Sequence, residues 1–127
     1  MAGLSVVIPA LNEAGTLPLL LADLATWPSN LEILVVDGGS GDATAAVTNN
    51  GGARLLRSPV AGRGQQLRWG ADQADGPWLL VLHADSRLPG SWHQRVEQIL
   101  SSPEGHLSAW FFDFNVDAEM RPMLWLL

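Results

Sequence analysis

Three groups of polar residues stand at the ends of apolar runs: "PALNE" (9–13), "VDGGSGD" (36–42) and "HADS" (83–86). In the last group His83 and Asp85 are two residues apart, so extended backbone projects both to one side. Ala84 then points the other way and is small enough to let a ligand approach. A carboxylate beside an imidazole or a water suits Mg²⁺ or Mn²⁺, which take oxygen donors and keep part of their coordination for phosphates. The same residues also read as an ordinary strand end, with Asp85 capping the next turn of chain and His83 packing beneath it. Two residues alone do not choose between these readings.

Asp37 closes the second apolar run and precedes "GGSGDAT". A carboxylate there can accept from a base N–H or a ribose hydroxyl, while Gly38 allows close approach. Asp42 and Thr44 read instead as the start of a helix, with Asp42 as its cap. A strand-end Asp37 has no capping duty, which favours a binding role. In "SPVAGRGQQL", Arg63 lies between two glycines ahead of a helix, beside free backbone N–H groups, an arrangement suited to a diphosphate. Its plain alternative is a surface arginine in a loop. Asn12 and Glu13 read equally as ligand contacts and as residues that open a helix. The glycines match neither G-x-G-x-x-G after the first strand nor a Walker loop, which needs a lysine. The chain has no lysine.

These residues require a frame. "LSVVIP" (4–9), "LEILVVD" (31–37), "ARLLRS" (53–58) and "PWLLVLHAD" (77–85) are short and nearly continuously apolar, as strands covered on both faces are. Leu17, Leu20, Leu21 and Leu24 follow helical spacing, with Pro18 in the first turn. Further helices are expected through "ATAAVTNN", ending at Gly51–Gly52, through "GRGQQLRWGADQADG", and through "GSWHQRVEQILSS", capped by Ser91. Strand and helix alternating at this spacing imply βαβ units and a mostly parallel α/β sheet, whose ligands bind beyond the carboxyl ends of the strands. All three polar groups fall on that rim. After Pro103 a strand is expected within 106–117, with Trp110, Phe112 and Phe114 on one face, and then the start of another element at "AEMRPMLWLL".

Composition narrows the classes. The chain has 127 residues, 47% of them apolar and 16% charged, enough for one packed domain or a large piece of one. Without cysteine there is neither a disulfide framework nor a thiolate metal site. A net charge of −6 with no basic run argues against nucleic-acid binding. The first residues lack a signal peptide's basic start and long apolar stretch, and no apolar run approaches the roughly 20 residues of a membrane span. A cytoplasmic location is expected, with a peripheral contact at the inner face of the membrane left open. The apolar ending "MLWLL" needs cover, so self-association through 106–127 is expected.

"SVVIPALNE", "EILVVDGGSGDAT", "GRGQQLRWGA" and "WLLVLHADSRLP", in this order and at these spacings, resemble family 2 glycosyltransferases of the GT-A fold over about residues 4 to 90. The chain looks closest to a bacterial subgroup of short members whose metal motif reads His-Ala-Asp in place of Asp-x-Asp. The resemblance implies a Rossmann-like, mostly parallel sheet with flanking helices. It also implies inverting transfer of a sugar from a UDP-, GDP- or dTDP-sugar to an acceptor that the sequence does not name. By position, Pro9, Ala10, Asn12 and Glu13 would meet the nucleotide, Asp37 and Gly38 the base, and Arg63 the base or diphosphate. Asp85 would bind Mn²⁺ or Mg²⁺, with His83 beside it as a direct or water-mediated ligand.

In such enzymes the acceptor site and the catalytic base come well after the metal motif, so no residue here is assigned as base. The expected organisation is a donor-binding half at 1–105 and then the start of a truncated acceptor-side region at 106–127. The alternative is a module that binds nucleotide-sugar without transferring it. A sugar-phosphate nucleotidylyltransferase fits less well, because those sequences open with a Gly-rich loop carrying Arg and Lys, which "SVVIPALNEAGT" lacks.

Overall fold

The short apolar runs and the helical spacings between them become alternating strands and helices in the computed structural model, which describes residues 3–101 and the backbone of two short strands at 110–112 and 124–126. The strands are β1 (Leu4–Ala10), β2 (Glu32–Asp37), β3 (Arg54–Arg57), β4 (Trp78–Leu82), β5 (Trp110–Phe112) and β6 (Leu124–Leu126). Between and after them run α1 (Leu17–Leu24), α2 (Thr44–Asn50), α3 (Arg63–Gln73) and α4 (Trp92–Ser101).

The sheet order is β3-β2-β1-β4-β6-β5. β1 to β4 are parallel, and β6 joins antiparallel between β4 and β5. Among the described residues, the expected strand within 106–117 is therefore three residues long, and Phe114 lies outside them. The terminal apolar run adds β6 to the same sheet.

Alternation along β1 assigns the helices to opposite faces. Leu4, Val6, Ile8 and Ala10 pack with Leu17, Leu20, Leu21 and Leu24 of α1 and with Trp92 and Val96 of α4. Val7, Leu34 and Val36 face the other way, against Leu67 and Ala74. The four α1 leucines are at most 4% exposed, each contributing roughly 1.5–3 kcal/mol from burial.

The chain moves outward from β1 through β2 to β3, then returns through α3 to place β4 on the other side of β1. That reversal is the position where open α/β sheets bind ligands. Pairing of β1 with β2 continues to Ala10↔Asp37, whereas pairing of β1 with β4 stops at Val7↔Val81. A crevice therefore opens between β1 and β4 at the carboxyl rim. Pro9 lies beyond the last β1–β4 pair, where a missing N–H costs the ladder least.

β4 ends at Leu82, three residues earlier than the sequence suggests. His83 to Ser86 form a tight turn closed by the Ser86 N–H on the His83 carbonyl, at 3.0 Å. The extended geometry expected to align His83 with Asp85 is absent, and the turn takes its place. Ala84 is 4% exposed and belongs to the core on the α1 side. Its methyl faces the interior, so the expectation that it leaves room for a ligand does not hold for the side chain.

Candidate functional site

Two loops on the rim are laced together by side chains. Asn12 occupies left-handed backbone at φ 54°, which asparagine tolerates better than most residues. Its N–H donates to Ser40 Oγ at 2.8 Å, and its Oδ1 accepts the Gly41 N–H at 2.8 Å. The Glu13 N–H donates to Thr44 Oγ1 at 3.0 Å, and the Ala14 N–H to Asp42 Oδ2 at 3.1 Å. The Glu13 carboxylate turns back on its own helix start, accepting the Thr16 hydroxyl at 2.6 Å. Asn12 thus ties the two loops together, and Glu13 also bonds the start of α1.

Asp42 accepts the Thr44 N–H at 3.0 Å and the Thr44 hydroxyl as well, but Ala43 and not Asp42 holds the N-cap position of α2, so the carboxylate acts from one residue earlier than expected. The Thr44 hydroxyl bond, ahead of the N–H groups of Thr44 and Ala14, holds the Asp42 carboxyl below its ordinary value.

Asp37 departs from expectation. It is 2% exposed, and its Oδ1 accepts both the N–H and the hydroxyl of Ser40. Arg57 Nη1 lies 3.9 Å from its other oxygen. The residue read as having no capping duty anchors the glycine turn instead, its carboxylate joining the two ends of the Asp37–Ser40 segment. Gly38 comes next, its N–H on the Ala10 carbonyl at 3.0 Å.

The third part of the rim comes from α3 and the turn after β4. Arg63 is the first residue of α3 and is exposed. Asp85 is also exposed and makes no hydrogen bond or ion pair among the described residues. His83 is partly buried and feels both charges. Burial, and then the Arg63 guanidinium, push its imidazole below the ordinary histidine value, while the Asp85 carboxylate pulls the other way. Gln66, one turn on from Arg63, reaches the Ala10 carbonyl at the end of β1, and β4, which leads into the His83–Ser86 turn, lies beside β1, so the α3 start and the β4 turn stand on the same rim.

The donors available to a metal ion here are few. Among the described residues no group of three or more His, Asp or Glu side chains could hold one. His83 and Asp85 would supply two donors, one of them an imidazole biased toward its neutral, ligating form and the other an uncommitted carboxylate. That leaves coordination for phosphate and water, as Mg²⁺ and Mn²⁺ require.

Sequence reading missed Gln66. It is 5% exposed, and its Nε2 donates to the Ala10 carbonyl at 3.0 Å and to the Val36 carbonyl at 2.9 Å. The available signal was a glutamine four residues before Gly70, on one helix face.

The match to the model of glycosyl transferase family 2 runs over residues 5–123. The chain belongs to this family. A PGL/p-HBAD biosynthesis glycosyltransferase of Mycobacterium tuberculosis is 40% identical over 91 residues, covering 66% of this chain and 36% of that protein. The chain thus spans about a third of the length of such relatives. Among solved structures, the mannosyltransferase PcManGT from Pyrobaculum calidifontis, in complex with GDP-Man and Mn²⁺, superposes with a TM-score of 0.70 at 21% identity, over 80% of this chain and 33% of that one. Glucosyl-3-phosphoglycerate synthase from Mycobacterium tuberculosis, in complex with Mn²⁺, UDP and glucosyl-3-phosphoglycerate, gives 0.62 at 24% identity, over 68% of this chain and 36% of that one. These likenesses establish the fold, a GT-A, Rossmann-like sheet with flanking helices. Among the described residues no helix is long and apolar enough to cross a membrane.

Proposed function

We propose that this chain carries the donor-binding part of a glycosyltransferase that moves a sugar, with inversion, from a nucleotide-diphospho-sugar to an acceptor. The observation that carries the reading is that the start of α3 with Arg63 and the turn after β4 with His83 and Asp85 both stand at the carboxyl rim where the sheet order reverses. An exposed guanidinium at a helix start and an uncommitted carboxylate flank one crevice, which suits a diphosphate together with a divalent cation. The structures of PcManGT with GDP-Man and Mn²⁺ and of glucosyl-3-phosphoglycerate synthase with UDP and Mn²⁺ are consistent with it.

In this reading Pro9, Ala10, Asn12 and Glu13 border the nucleotide, and Asp37 with Gly38 borders the base. Asp37 does so mainly by shaping the glycine turn, since Ser40 already engages both of its oxygens. Arg63 holds the diphosphate. Asp85 and His83 hold the cation, which when bound would offset charge on the departing diphosphate. The buried methyl of Ala84 pins the turn between these two ligands to the core. Residues 1–105 form the donor half, and 106–127 begin the acceptor side.

Calorimetry with UDP-, GDP- and dTDP-sugars tests this. At least one should bind in the presence of Mn²⁺ and lose that binding in Asp85→Ala; no metal-dependent binding, or binding unchanged in Asp85→Ala, would overturn it.

A further inference from the structure

Arg63 can serve a diphosphate only if the start of α3 stays beside the β4 turn, and the packing of α3 on the sheet holds it there. Gly70 lets α3 lie close. A Cβ at that position would come within 2.5 Å of Val7 Cγ1 and 2.8 Å of Val36 Cγ2. One turn nearer the rim stands Gln66, on the same helix face as Gly70 and, three residues back, Arg63. The rest of this interface is apolar, formed by Leu67 and Ala74 against Val7 and Val36.

A glutamine amide in such an interface is costly unless both its hydrogens find acceptors. Here they find carbonyls on two different strands, Ala10 of β1 and Val36 of β2. Ala10 is the last residue of β1 and Val36 the last but one of β2, just before the two site loops that begin at Leu11 and Gly38. The same amide lies against Gly38, where a Cβ would stand 2.8 Å from Oε1 and 2.9 Å from Cδ. One side chain therefore touches the frames of both nucleotide loops and belongs to the helix that presents Arg63.

We infer that Gln66 is a positioning residue that fixes the Arg63 guanidinium relative to the β1 and β2 loops, so that base and diphosphate are gripped at one set distance. The inference rests on the nucleotide-diphosphate reading of the rim. Its signature is coupling: removing the tie should weaken the hold on the diphosphate only while Arg63 is there to be misplaced.

The test is a double-mutant cycle on the whole chain. Gln66→Met keeps the volume and removes both donors. With whichever of UDP, GDP and dTDP binds the unmodified chain in Mn²⁺, affinity should fall roughly 10-fold in Gln66→Met, as it does when a ligand's supporting contacts are lost. Gln66→Met combined with Arg63→Ala should bind no more weakly than Arg63→Ala alone. Equal losses in both backgrounds, or no loss in either, would overturn the inference. Gln66→Leu, which also lacks both donors, gives a second cycle with Arg63→Ala should Gln66→Met fold poorly; there too, additive losses count against it. If the unmodified chain binds none of the three nucleotides, the proposed function falls and this inference with it. If it binds and Gln66→Met binds equally well, only the inference falls.

Discussion

Asp23 near the end of α1 and Arg87, just past the His83–Ser86 turn, form a two-pronged ion pair. Arg87 Nε lies 2.8 Å from one carboxylate oxygen, and the second guanidinium nitrogen 3.2 Å from the other. Asp23 also accepts the Leu88 N–H at 2.9 Å, and the Trp92 indole donates to its carbonyl at 3.1 Å. The segment leaving Asp85 is thereby tied to α1 on both sides of Leu88, which keeps the exposed carboxylate of Asp85 at a fixed place on the rim.

This pair should matter more for order than for net charge. Asp23→Ala removes three acceptor contacts at once and should destabilise the chain by roughly 1–3 kcal/mol in urea denaturation. Arg87→Ala leaves the Leu88 bond intact and should cost less, because its side chain is 41% exposed and an exposed pair contributes little. Equal losses in the two variants would show that Leu88 is not held through Asp23.

Close packing of α3 makes a second prediction. At Gly70 an added methyl has no room, so Gly70→Ala should destabilise by about 1–3 kcal/mol through overpacking. At Gly64 nothing lies within 4 Å. Gly64→Ala should therefore be neutral or stabilise by up to about 1 kcal/mol, since alanine favours the helix. Denaturation midpoints of the two variants check this, and a tolerated Gly70→Ala would mean α3 is not seated on Val7 and Val36.

Protonation gives a third. The folded chain favours neutral His83, so its folded value lies below the unfolded one of 6.5. The unfolded state then binds more protons in that window, and stability rises with pH through it. This contribution is fully present above the unfolded value and is lost as pH falls toward the folded one. Glu32 acts lower on the scale. Burial raises its carboxyl, but the Ser5 hydroxyl, the Asp75 N–H and Arg54 outweigh burial and leave it below 4.5. Its contribution is present above 4.5 and is lost as pH falls below. Stability measured from about pH 7.5 to 5.5 should drop less in His83→Asn than in the unmodified chain. Identical slopes would contradict the burial of a neutral imidazole.

The parallel sheet, the α1 leucines and the three rim clusters were legible because each rests on a local pattern: a run, a period of 3.6, or a polar residue at a strand end. The turn at His83 was not, since no Gly or Pro interrupts "LLVLHADS" to mark where the strand stops. Asp37 looked uncommitted because its partner Ser40 becomes one only once the glycines fold back. Gln66 was hidden for a deeper reason. Its two acceptors are backbone carbonyls on distant strands, 56 and 30 residues away, and no side-chain pattern records them.

The most direct test of the rim is to let a bound Mn²⁺ report where it sits, through paramagnetic broadening of amide resonances in the presence of the nucleotide diphosphate that binds. Broadening should centre on His83–Ser86 and reach Arg63 and the loop ends at Ala10 and Gly38, while Ser5, Glu32 and Gly76 at the opposite end of the sheet stay sharp. Broadening centred away from Asp85, or spread evenly over the chain, would contradict the account.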